Sequence, residues 1–312
     1  MTKSSGHTPL SKSIFKTLLY FDIFQYPLTA AEIFKHLPTN HVSPDQVSIE
    51  LTRLSNQSIL YSISDFFSVQ NNQALGSRRI KGNQLALQHL TLVKKKSLFI
   101  SKFPFVRAVM ASGSLSKDYM DEHSDLDFFV ITQPNRLWIA RMILVLYKKI
   151  FLFNSHKYFC INYYLDENHL EIEEKNIFTA TELATLIPLY GKEYYHQLMI
   201  ANEWLKNYLP NHAPRSTHSV ATHHSSWIKR RIEGMFNLVG VTKLEQPLMN
   251  LISLRWKRQY QSLLSKNDFE VAFKTKEYVS KGHPNNHQRK VLNLYQQKLE
   301  DFGKKLNINW DE

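Results

Sequence analysis

The sequence predicts a mixed α/β protein with helical material at both ends. Three observations carry this. Helix-periodic segments with clear caps fill the first 56 residues. Short apolar runs then alternate with helical segments over about a hundred residues, as expected of a sheet packed by helices. Beyond residue 181 the pattern is almost wholly helical.

Taken in order, Ile14, Leu18, Leu19 and Phe21 fall at helical spacing, and Thr29 caps a second helix over "AAEIFKHL". Ser43-Pro44 offers a cap and first-turn proline for a third helix carrying Val47, Ile49, Leu51 and Leu54. "ILYSISDFFSV" reads as two short strands about a turn. Three helices and a hairpin outline a winged helix over residues ~10–70, with "NNQALGS" (71–77) as a linker. A long helix is predicted over 78–101, strands over 105–112 and 126–132, and a helix over ~135–153. A further strand over 157–165 turns at "DENH" into "LEIE". Helices are expected at 181–208, 225–239, 245–264 and 286–304, with an exposed loop at 209–226. The predicted division is 1–72, 73–178 and 179–312, two or three domains being the number that 312 residues can support.

Composition excludes several classes. Hydrophobic content of 43% with 12% aromatics is that of a globular chain, not a disordered or fibrous one. The single cysteine, Cys160, precludes an internal disulfide framework and fits a reducing compartment. The N-terminus lacks an apolar stretch ending in a small-residue cleavage site. The most apolar run, Leu137 to Phe153, contains Arg141, Lys148 and Lys149 and falls short of the ~20 apolar residues of a membrane span. A cytoplasmic protein without membrane insertion is therefore expected. The net charge of +12 suggests an anionic partner. It is unevenly spread: residues 1–70 carry five cations against five anions, whereas residues 216–312 carry 16 against 9.

The chemistry concentrates in "ASGSLSKDYMDEHSDLDFFVIT", Ala111 to Thr132. Strand alternation puts Asp125 and Asp127 on one side, with Leu126 and Phe128 inward. Like charges so placed repel each other and resist burial. A hard divalent cation such as Mg²⁺ would neutralise both. Gly113-Ser114, before a short helix, permits close approach of backbone N–H groups to phosphate, and Ser114, Ser116 and Lys117 add hydroxyls and charge. An anion cradle beside a metal pair suits phosphoryl or nucleotidyl transfer.

"VMASGS", ten residues, then "DLDFFV" resembles the nucleotidyltransferase superfamily typified by DNA polymerase β, kanamycin nucleotidyltransferase and the small MNT-type proteins. The resemblance covers residues 105–165. With the N-terminal winged helix, it also resembles a bacterial group described only as nucleotidyltransferase-domain proteins. It implies a nucleotidyltransferase-type mixed sheet, Gly113 and Ser114 at the triphosphate of an NTP, Lys117 where many members place a basic residue, and Asp125 and Asp127 on Mg²⁺; Ser116 joins the nucleotide-binding set through its hydroxyl. The acceptor is left unnamed. Family members often carry a third carboxylate in the strand after the intervening helix, where this chain has Asn162. An amide can ligate a metal but cannot take a proton. Asp166 and Glu171 are alternative acids.

Other signals are given plainer accounts. His212, His218, His223 and His224 lack metal spacing and read as a solvated loop; His283 reads as a loop residue and Cys160 as core. The basic C-terminal stretches "WIKRR", "RWKRQ", "KEYVSKGH" and "HQRK" are either solvated helix faces or a cover over the triphosphate or an anionic acceptor. The third helix, Asp45 to Asn56, has one arginine against two acids, which argues against sequence-specific DNA binding. Besides the enzyme, two alternatives stand: a degenerate nucleotide-binding regulator and a winged-helix DNA-binding protein.

Overall fold

The computed structural model describes residues 7–153, 157, 159–282, 284 and 286–310. His283, and Tyr158 in the predicted third strand of the central region, lie outside the described residues. The chain is a mixed α/β structure with a six-stranded mixed sheet.

The first unit forms as its caps dictate. Helix α1 (Pro9–Asp22) starts at Thr8, whose hydroxyl accepts from the Ser11 N–H, with proline in the first turn. Helices α2 (Ala30–His36) and α3 (Pro44–Asn56) each begin with a capping box, Thr29 with Glu32 and Ser43 with Gln46. Strands β1 (Tyr61–Ile63) and β2 (Phe66–Ser68) form an antiparallel hairpin, and Leu28 bridges to Phe67 beside it. Helix α4 (Ala74–Ile100) starts four residues earlier than expected, absorbing most of the supposed linker. Its Arg79 is buried under the first unit, bonded to Glu32 at 2.6 Å and lying 3.7 Å from the centre of the Tyr26 ring.

The sheet follows: β3 (Val106–Ser112), β4 (Asp127–Thr132), helix α5 (Leu137–Phe151) and β5 (Cys160–Asp166). Next come α6 (Ile177–Thr185), β6 (Ile187–Tyr190), α7 (Lys192–Ala201), α8 (Trp227–Leu238), α9 (Glu245–Tyr260) and α10 (Lys266–Ala272). The short strands β7 (Thr275–Lys276) and β8 (Val279–Lys281) precede the last helix, α11 (His287–Leu306). Strand order is β6-β3-β4-β5-β8-β7, with β4 and β5 parallel and the other pairs antiparallel.

Helices cover both faces of the sheet, which is why "FFVI" is apolar throughout rather than alternating. Phe128 and Val130 pack with Leu137 and Trp138 on one side. Phe129 and Ile131 pack with Leu183 and Leu198 on the other. No helix among the described residues is long and apolar enough to cross a membrane.

Four expectations are corrected. The helix expected over 181–208 is broken by β6, an edge strand in which Pro188 lies opposite Met110 and no ladder N–H is needed. "LEIE" is not a strand. The Asn202 side chain takes over its backbone, donating to the Leu170 carbonyl at 2.7 Å and accepting from the Ile172 N–H at 2.8 Å. The edge of β5 is paired instead by β8, more than a hundred residues on in sequence. His212 is not solvated: it is 8% exposed, and burial pushes its imidazole down to about 4. Finally, the boundary at 178 cuts through one sheet, because β6 and β8 both join it. The boundary at 72 likewise leaves out α11, whose Val291, Tyr295, Leu299 and Phe302 complete the core of the first unit.

Candidate active site

The Gly-Ser turn and the acidic pair meet because β3 and β4 are antiparallel neighbours with Ser112 opposite Asp127. Gly113, the next residue, has φ of +67°, a conformation glycine adopts without the usual steric cost. It also runs hard against the carboxylate: a Cβ at this position would sit 2.3 Å from Asp127 Oδ2 and 3.1 Å from its Cγ. Two independent reasons thus require glycine here. The helix expected after it is a three-residue 3₁₀ turn, Leu115–Lys117, too short to supply a macrodipole.

Strand β5 completes the cluster. Cys160 lies opposite Asp127 in the parallel ladder, and the register slips between Phe128 and Phe129, leaving Asn162 as an extra residue in β5. A bulge of this kind re-aims a side chain. Asn162 Nδ2 donates to Asp127 Oδ1 at 2.6 Å, while its Oδ1 lies 2.9 Å from the Cys160 thiol. Asn162 therefore lies within reach of Asp127, and Cys160, buried as expected, also touches the cluster through Asn162.

Burial drives the Asp127 carboxyl up to about 6, and the charges of Asp125 and Glu182 push the same way against the bonds from Cys160 and Asn162. The same burial, with Asp127 beside it, pushes the Cys160 thiol up to about 12, so it is neutral at physiological pH. Asp125 sits just ahead of β4. Leu126 between the two acids is buried with Phe128, as the alternation requires.

The remaining predicted residues divide. Ser114 opens the 3₁₀ turn beside Gly113. Ser116 is fully buried and braces the turn, its hydroxyl donating to the Gly113 carbonyl at 2.8 Å and lying 3.2 Å from Thr185 Oγ1. Lys117 reaches the Gly113 carbonyl at 3.2 Å and pairs with Glu182 at 2.8 Å. Asp166 is at the far end of β5, opposite Thr132 and bonded to His169, and Glu171 pairs with Lys175. Neither joins the cluster.

Glu182 was invisible in the sequence. It lies on α6, outside any motif, and enters only because α6 packs on the sheet face that carries Asp127 and Phe129. Among the described residues no group of three or more His, Cys, Asp or Glu side chains could hold a metal. Asp125 and Asp127 would offer Mg²⁺ the hard carboxylate oxygens it takes, whereas the Asn162 carbonyl is held by the Cys160 thiol. A buried carboxyl raised by a neighbouring anion is the state that a bound cation would relieve. No family model, curated protein or solved structure matches this chain.

Proposed function

We propose that the protein transfers a nucleoside monophosphate from an NTP to an acceptor hydroxyl or phosphate. The observation that carries this is the Gly113 turn closed against Asp127 where β3 meets β4, with Asn162 bonded to Asp127 and the charge of Asp125 acting on it. Asp125 and Asp127 would hold Mg²⁺, which when bound offsets phosphate charge and orients the α-phosphorus. The acceptor oxygen forms a bond to that phosphorus and the bond to pyrophosphate breaks.

The chain's own residues have distinct parts. Gly113 and Ser114 offer backbone and hydroxyl to the phosphates. Lys117 exchanges Glu182 for a phosphate oxygen when the nucleotide arrives. Glu182, so released, takes the proton of a hydroxyl acceptor, a role closed to Asn162. A phosphate acceptor is already ionised and needs no base. The first unit is read as a winged helix used for packing rather than DNA recognition, because the sole arginine of α3, Arg53, is spent on Glu50 at 2.7 Å.

Titration calorimetry with NTP, with and without Mg²⁺, tests the assignment. Asp125→Ala and Asp127→Ala are each expected to remove metal-dependent binding while the fold persists. Unchanged affinity in both would sink it. A second reading, a nucleotide-binding regulator without turnover, is favoured by the amide at Asn162; turnover against a panel of acceptors separates the two. Asn162→Asp is expected to tighten Mg²⁺ binding about tenfold by adding a third carboxylate. A Mg²⁺ affinity that does not rise would show that Asn162 orients Asp127 without facing the metal.

A further inference from the structure

Helix α8 is built inside out. Its buried residues are Lys229 and Glu233, one turn apart. Lys229 Nζ donates to the carbonyls of Ser101 at 2.9 Å and Val106 at 2.6 Å. Glu233 Oε1 accepts from the Phe105 N–H at 2.6 Å and from Arg107 at 3.1 Å. These charged anchors tie α8 to the entry of β3 and fix its rotation.

The opposite face is largely apolar, with Arg231 set among its apolar residues. Ile228, Ile232, Met235 and Val239 follow helical spacing as one ridge, and Trp227 and Leu238 flank it on the next. All are exposed, Leu238 at 89% and Val239 at 81%. An exposed apolar face of this extent marks an interaction surface. The charges around it have one sign. Arg230, Arg231 and, just beyond the helix, Lys243 are exposed. The acids of the segment are turned inward: Glu233 as described, and Glu245 onto the N–H groups of Trp138 and Ile139, both at 2.9 Å. Helix α9 has no buried residue and carries exposed Arg255, Lys257 and Arg258.

We propose that this face of α8 docks on an anionic lipid bilayer, with the apolar ridge at the headgroup–acyl boundary and Arg230, Arg231 and Lys243 against the lipid phosphates. Charge selects the occupant. A second copy paired across a two-fold axis would set cations against cations. A bilayer bearing anionic lipids supplies the opposite charge, and it receives side chains that stand out from the helix without needing pockets shaped for them. Arginine and lysine stems lie along the apolar surface while their heads stay in the interface.

The test is co-sedimentation of the full chain with phosphatidylcholine vesicles, with and without phosphatidylglycerol. Partitioning is expected only onto the anionic vesicles and is expected to fall as salt rises. Arg230→Gln with Arg231→Gln should lower it roughly 30-fold, and Leu238→Glu with Val239→Glu should abolish it. All four positions are exposed, so the melting temperature should hold. Equal partitioning onto neutral vesicles, or undiminished partitioning of both variants, would overturn the proposal. So would no partitioning at all, which would point to an acidic protein partner. A concentration-dependent dimer, seen by light scattering and dispersed by Leu238→Glu, would assign the face to a second copy and overturn it as well.

Discussion

Asp127→Asn is expected to abolish Mg²⁺-dependent NTP binding, to lower turnover at least about a hundredfold, and yet to stabilise the metal-free protein above pH 6. The two effects share one cause. Burial and the charge of Asp125 raise this carboxyl from 3.8 to about 6 in the folded chain. The native state then binds the proton more tightly than the unfolded state, so stability is full below pH 3.8. It falls as pH rises toward 6, and the loss is complete above that, amounting to roughly 3 kcal/mol. An asparagine can keep the bond from Asn162 but has no charge to bury. In chelator, the melting temperature of the variant should match wild type near pH 4 and exceed it by about 5 °C at pH 7. A difference that does not vary with pH would rule out a buried ionised carboxylate as its source. Unchanged NTP affinity in Mg²⁺ would separately remove Asp127 from the metal.

Gly113→Ala is expected to be the most damaging small substitution in the turn. The left-handed backbone alone costs about 1–2 kcal/mol for an alanine. The larger effect is local: at 2.3 Å from Oδ2 the new methyl must displace the Asp127 carboxylate. Both metal-dependent binding and turnover should be lost although the sheet remains intact. The double variant Gly113→Ala/Asp127→Ala separates the two costs. Trimming the carboxylate relieves the clash but not the backbone conformation, so the double variant should be more stable than the sum of the single effects implies. Strict additivity, or a Gly113→Ala protein that still binds NTP with Mg²⁺, would mean that the turn does not press on the acid.

Much of this site was legible before folding. The caps at Thr29 and Ser43, the strands on either side of Gly113-Ser114, and the acids flanking Leu126 are all local signals, set by one residue's effect on its neighbours, and they reappear in the structure. Asn162 as the neighbour of Asp127 was also within reach, since strands joined by a single helix commonly lie side by side, as β4 and β5 do. What the sequence did not show depends on partners distant along the chain. Strands β6 and β8 are four and three residues long, too short for a period to emerge. Only the open edges of β3 and β5 make strands of them.

Ser116 and Lys117 were read as phosphate ligands from their hydroxyl and charge; the partners they have in the folded chain, Gly113, Thr185 and Glu182, were not visible in the sequence. Glu182 could not be found at all until α6 was laid on the face of β4. The inverted faces of α8 are of the same kind. The sequence placed a helix over 225–239 but not which side of it is buried, and two charged side chains decided that by bonding the backbone around β3. The sequence by itself determined the helix starts, the glycine turn and the acidic pair, because these are fixed by short-range sterics and charge. The tertiary structure alone decided the sheet's outer strands, the third acid and the outward face of α8, because each is set by pairing energy between segments that are neighbours only in space.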